Sequence, residues 1–166
     1  MKKLSKISLV FTLLITLICT QFTGGISAKA ATEDQLGLKA AAAILLDAET
    51  GKILYEKNAD EVLGVASMSK MMTEYLVLEA IAEDKIAWDD EVLISEYVHN
   101  LSKGAGLSNI GLTQGETYTV KELYEAMAIF SANAATVALA EKVSGSETNF
   151  VKLMNKKAGE LGMKDY

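Results

Sequence analysis

The sequence predicts an α+β domain, because strand-like and helix-like signals are segregated along it. Two apolar runs joined by a turn come first, and an unbroken apolar segment from Ser67 to Ala82 follows. Capped helical patterns then fill the last third of the chain. Ala41 to Leu46 and Lys52 to Tyr55 flank Asp47-Ala48-Glu49-Thr50-Gly51, where Gly51 suits a positive φ, so this stretch reads as a β-hairpin. Ile44, Leu45 and Leu46 run continuously rather than alternating with polar residues, so the hairpin expects cover on both faces.

Ser67 to about Ala82 is apolar nearly all round, the pattern of a buried central helix. Lys85 to Asn100 is mixed, with a short extended piece at Glu91 to Ile94. Gly104, Gly106, Gly111 and Gly115 mark a long irregular loop of the kind that lines sites. Thr119-Val120-Lys121-Glu122 is a capping box, and it opens a helix with an apolar stripe of Leu123, Met127 and Phe130. That helix stops at Ser131-Ala132-Asn133, and Asn133 is expected to cap the next one, Ala134 to Val143, which Gly145 ends. Ser146 caps a last helix with Phe150, Leu153, Met154 and Leu161 on one face and Gly162 at its end.

The amino terminus sets the compartment. Lys2, Lys3 and Lys6 precede an apolar run from Ile7 to Cys19, and Ala28-Lys29-Ala30 offers a small-residue cleavage site. Residues 1–30 thus read as a secretory signal peptide, too short in its apolar part to span a bilayer. Ile18 before Cys19 argues against a lipoprotein site. Cleavage after Ala30 leaves residues 31–166 as one domain of 136 residues, without cysteine and hence without a disulfide of its own. The removed piece carries four lysines and no acid, so the formal charge falls from −6 to −10. With no arginine anywhere and this negative balance, nucleic acid is excluded as a partner, since phosphate binding needs clustered cations. A bidentate arginine clamp on a substrate carboxylate is missing for the same reason. No metal-ligand spacing, nucleotide loop or redox motif is present, so no cofactor is expected.

Ser67-Met68-Ser69-Lys70 is the most informative motif. Positions three apart share a helix face, so the Ser67 hydroxyl and the Lys70 amine can meet. A serine is activated when a neighbouring base takes its proton, and a lysine serves only when neutral. Burial against Met71, Met72 and Tyr75 is expected to push Lys70 that way. The alternative is a Ser N-cap followed by a solvated Lys70 paired to Glu74. Ser131-Ala132-Asn133 lies 64 residues beyond Ser67, at a helix-to-helix turn. There Ser131 can relay a proton and Asn133 can hold a substrate amide.

Other residues read as structural. His99, the only histidine, is expected at the surface beside the Gly-rich loop. Ser108-Asn109 imitates the Ser131–Asn133 motif without its spacing and is read as shaping the loop. Glu83-Asp84 and Asp89-Asp90 around Ile86 and Trp88 form a solvated face, and Met68, Met71 and Met72 fill the core.

In this order, S-x-x-K at the head of an apolar helix and S-x-N after it, the chain resembles the active-site serine penicillin-recognising enzymes. The likeness is strongest to the low-molecular-mass D-alanyl-D-alanine carboxypeptidases of Gram-positive bacteria. It is carried by Ala41 to Tyr55, Ala66 to Thr73 and Phe130 to Glu141, and runs from about Ala40 to Tyr166. The Ala in Ser-Ala-Asn sets the chain apart from class A β-lactamases, which usually carry Asp there. The resemblance implies a penicillin-binding protein or serine β-lactamase-like fold, an antiparallel sheet with a helical subdomain, incomplete at the carboxy end. It implies removal of the terminal D-Ala from peptidoglycan stem peptides through an acyl-enzyme on Ser67. Lys70 and Ser131 would move protons, Asn133 would bind substrate, and β-lactams would inhibit. A serine β-lactamase and a non-catalytic penicillin- or muropeptide-binding domain stay open as alternatives.

The departures also matter. No K-T-G or K-S-G triad occurs, Thr50-Gly51-Lys52 being a reversed decoy, and Val65 stands where many relatives have proline. A lone hairpin is marginal in water, so this one expects either completion by residues outside the chain or an exposed edge. The chain is therefore expected to be the amino-terminal part of a catalytic domain, exported to the outer face of the bacterial membrane. This part alone is expected to be weak or inactive, with any membrane anchor in the missing carboxy-terminal part.

Overall fold

A computed structural model describes residues 36–164, which divide after Glu61 into two compact units. The signal-peptide reading of residues 1–30 and the lipoprotein question at Cys19 lie outside the described residues.

The first unit is the expected hairpin. Strand β1 (Ala43–Leu46) pairs antiparallel with β2 (Ile53–Lys57), with an irregularity in register at Leu45/Leu46. The turn closes because the Asp47 carboxylate accepts from both the N–H and the hydroxyl of Thr50, at 2.8 and 2.6 Å. These bonds to Thr50 lower the Asp47 pKa from its ordinary value. Gly51 takes the left-handed conformation at φ +68° that the tight return requires. Among the described residues nothing covers the hairpin's apolar side chains fully: Ile44, Leu45, Leu46, Ile53 and Leu54 are all about half exposed or more.

The second unit is helical around one short ladder. A 3-10 turn over Ala66–Ser69 runs directly into α1 (Lys70–Ala82). Next come β3 (Glu91–Leu93), α2 (Glu96–Ser102), β4 (Thr117–Thr119), α3 (Val120–Phe130), α4 (Asn133–Ser144) and α5 (Glu147–Glu160). β3 and β4 pair antiparallel, with Val92 opposite Tyr118. The extended piece expected near Glu91 is therefore a strand, while its partner β4 and the helix α2 were not foreseen. α2 starts on Ser95, whose hydroxyl accepts from Val98 N–H.

The central helix is α4, not α1. α4 packs on the other four helices and on β3, and buries Ala134, Ala135, Val137, Ala138, Leu139 and Ala140. Its alanines let neighbours approach on every side. α1 buries one face through Thr73, Leu76, Val77 and Ala80 and exposes Met71, Tyr75 and Leu78 on another. Two of the three methionines read as core filler, Met68 and Met71, are each 65% exposed, and Met72 alone packs against a small cluster of Leu76, Ala140 and Phe150.

The capping box forms as expected: Thr119 Oγ1 accepts from Glu122 N–H at 3.1 Å, and the Glu122 carboxylate accepts from Thr119 N–H at 2.7 Å. Leu123 and Met127 are buried beneath it, but Phe130, the last residue of α3, is exposed, because the chain turns away at Ser131. Ser146 caps α5 through Asn149 N–H, and Phe150 is buried there, with Leu153 and Met154 partly so. Leu161 lies past the last turn of α5 and is exposed. Lys157 ties α5 back to α1, bonding Glu79 at 2.8 Å under the Tyr75 ring; the bonds to Glu79 and Glu160 push its pKa up.

His99 is half-buried rather than a surface residue. Its Nδ1 lies 2.6 Å from Leu112 O and 3.2 Å from Gln114 N, so it stitches α2 to the end of the Gly-rich loop. The acidic face is largely solvated as expected, with Glu83 paired to Lys85 and Asp90 to Lys142, while Ile86 is buried and Trp88 meets Tyr124 edge to face at 5.2 Å.

Candidate active site

Ser67 sits on the exposed 3-10 turn that leads into α1. The preceding residue, Ala66, is held at φ +45°, a conformation L-residues other than Gly, Asn and Asp seldom adopt. In a 3-10 turn, side chains three apart eclipse one another. The Lys70 amine accordingly stands 3.4 Å from Ser67 Oγ. That is long for a hydrogen bond, but catalytic pairs often stand so before a substrate tightens them.

Lys70 is 9% exposed, which removes the alternative of a solvated lysine paired to Glu74. The residues named to bury it are mostly not the ones that do. Met71 and Tyr75 lie about 100° and 140° round the helix from Lys70 and face outward. The defined polar partner comes from α4 instead: Lys70 Nζ donates to Asn133 Oδ1 at 3.0 Å.

Asn133 is the first residue of α4 rather than its cap. The N-cap is Ala132, which has no side chain for the purpose, and the 108–109 loop does the work. Ser108 O accepts from Asn133 N–H and from Asn133 Nδ2, both at 2.9 Å. Asn109 Oδ1 accepts from Ala134 N–H at 2.8 Å. A carbonyl can only accept, so the Ser108 carbonyl requires the Asn133 NH₂ to face it and leaves Oδ1 for Lys70.

Ser131 closes α3 at φ +53°, in the left-handed region. Among the described residues its hydroxyl makes no hydrogen bond to Ser67, Lys70 or Asn133. Three of the four expected residues, Ser67, Lys70 and Asn133, thus form one bonded chain, and Ser131 stands two residues from it in sequence. Ser108 and Asn109 were recognised as loop-forming but not as part of this arrangement. A contact across 25 residues between a loop and a helix start leaves no periodic signal in the sequence. Among the described residues, no group of three or more His, Asp or Glu is placed to hold a metal ion.

A family model described as D-alanyl-D-alanine carboxypeptidase matches residues 28–166. The chain belongs to that family. D-alanyl-D-alanine carboxypeptidase DacF of Bacillus subtilis is 45% identical over 159 residues, covering 95% of this chain and 40% of the relative. The structure of PBP3, a peptidoglycan synthesis regulatory factor from Streptococcus pneumoniae, superposes with a TM-score of 0.73 at 45% identity. That match covers 76% of this chain and 35% of the other. Penicillin-binding protein D2 of Listeria monocytogenes, solved with ampicillin bound, superposes at 0.66 with 37% identity over 78% of this chain and 50% of its own. The chain spans well under half the length of the DacF relative, and its fold is the α+β fold of these carboxypeptidases and penicillin-binding proteins.

Proposed function

We propose that this carboxypeptidase-family protein removes the terminal D-Ala from peptidoglycan stem peptides by acyl transfer through Ser67. The observation that carries the reading is the buried Lys70 amine held between Ser67 Oγ and Asn133 Oδ1. Ser67 Oγ attacks the carbonyl carbon of the penultimate D-Ala while the Lys70 amine takes the hydroxyl proton. The resulting oxyanion receives the Ser67 N–H, one of the helix-start donors that lack an intrahelical partner. As the C–N bond breaks, Lys70 returns the proton through Ser131 to the departing D-alanine. Water then attacks the ester and frees Ser67. Asn133 keeps Lys70 in place and approaches the substrate backbone.

β-Lactams present a ring-strained amide in place of the D-Ala-D-Ala bond and acylate Ser67; the ampicillin-bound Listeria relative supports this. Residues 1–30 are proposed to export the protein, and residues 31–166 to form the amino-terminal part of the catalytic domain, acting at the outer face of the bacterial membrane. The test is D-alanine release from an N-acetylated peptide ending in L-Lys-D-Ala-D-Ala by the full-length protein. Release that falls to background in Ser67→Ala is expected. Release unaffected by that substitution contradicts the assignment. A β-lactam adduct that turns over faster than the peptide does points instead to a β-lactamase.

A further inference from the structure

We infer that Asn109 is a positioning residue for the proposed acyl-transfer site, acting on Lys70 through Ser108 and Asn133. The inference rests on the reading above and adds a residue that lies outside both of its motifs. Asn109 is half-buried and uses both ends of its amide: Nδ2 donates to Leu101 O at 3.0 Å, at the end of α2, and Oδ1 accepts from Ala134 N–H at 2.8 Å. It therefore spans from the carboxy end of one helix to the amino end of another. The residue before it, Ser108, is thereby held with its carbonyl against Asn133, where it accepts from both the backbone and the side-chain N–H.

Two consequences follow for the site. The first N–H groups of α4 are satisfied from outside the helix, which Ala132 cannot do from its own side chain. The Asn133 amide is also fixed in the one orientation that presents oxygen to Lys70. If the Ser108 carbonyl moves, the Asn133 amide is free to turn, and an NH₂ facing the Lys70 amine is a donor facing a donor. Asn109 touches neither nucleophile nor base, so its effect must pass through Asn133.

The experiment combines spectroscopy with a double-mutant cycle in the full-length protein. In the parent, one Asn133 Nδ2 proton is expected to resonate downfield and exchange slowly with water, being bonded to Ser108 O. Asn109→Ala should abolish that signature and lower the rate of Ser67 acylation by a fluorescent penicillin about tenfold, the scale of one lost positioning bond. In an Asn133→Ala background the same substitution should cost nothing further. Asn109→Asp keeps the acceptor for Ala134 N–H but loses the donor to Leu101 O, so it should recover only part of the signature and of the rate, falling between Asn109→Ala and the parent. An unchanged Asn133 signal in Asn109→Ala, or an equal loss in the Asn133→Ala background, overturns the inference. Should Asn109→Ala not fold, a signature and an acylation rate in Asn109→Asp that both match the parent overturn it equally, since that variant lacks the bond to Leu101 O. If penicillin does not acylate Ser67 at all, the proposed function fails while the Asn133 signal still decides the positioning.

Discussion

A lysine can act as a base only if its amine is held near the proton it takes and kept from bulk water, and the turn from Ala66 into α1 meets both needs. The eclipsed geometry aligns Ser67 with Lys70, and α4 supplies Asn133 as the partner for the amine. Lys70→Arg keeps the charge but cannot lose its proton near neutral pH, so penicillin acylation of Ser67 should slow by ~10²–10⁴. A near-normal acylation rate by stopped-flow would make Lys70 structural only. The left-handed Ala66 offers a second test. A β-branched side chain is poorly tolerated at φ +45°, so Ala66→Val should cost about 1–2 kcal/mol in urea unfolding, whereas Ala66→Gly should not destabilise. Equal stability of the two variants would show no strain at that position. The Ser67–Lys70 pair was legible in the sequence because it is local. Asn133 was legible as a polar group at a helix-to-helix turn and Asn109 as a loop-shaping residue, but their bonds within the site were not, since these contacts come from folding distant segments together.

The clearest element-scale device is the capping box at the head of α3. Removing the cap acceptor in Thr119→Ala should cost about 1 kcal/mol, read as a lower urea midpoint. Glu122 adds a pH dependence of known sign. The backbone N–H and hydroxyl of Thr119 hold its carboxyl below the ordinary glutamate range. Its contribution is therefore complete above about pH 4.3, the unfolded value, and is lost as pH falls through the lower folded value. Glu122→Gln should flatten that acid limb of the stability curve, and an unchanged limb would rule the box out as its source. α3 and α5 were readable because their caps are written in adjacent residues. α2 and β4 were not, since a seven-residue helix and a three-residue strand hold too little of a period to stand out. Burial was misassigned between α1 and α4 because α1 carries the larger apolar side chains, whereas the centre of this helical packing selects small ones.

For the whole molecule, the apolar faces left exposed have a measurable consequence. The hairpin shows Ile44, Leu45, Leu46, Ile53 and Leu54 to solvent, and α1 shows Met71, Tyr75 and Leu78. Exposed apolar side chains of this kind bind hydrophobic dyes and promote association. Residues 31–166 should therefore enhance anilinonaphthalene sulfonate fluorescence while keeping native far-ultraviolet dichroism, and Leu45→Lys should reduce that signal. No dye binding would mean that these faces are covered in solution. The most direct test of the Ser67–Lys70–Asn133 site is to label the full-length protein with a fluorescent penicillin, digest it and locate the adduct by mass spectrometry. The label is expected on the peptide containing Ser67 and absent from Ser67→Ala. A label that maps to Ser131, or that survives in Ser67→Ala, would contradict the site.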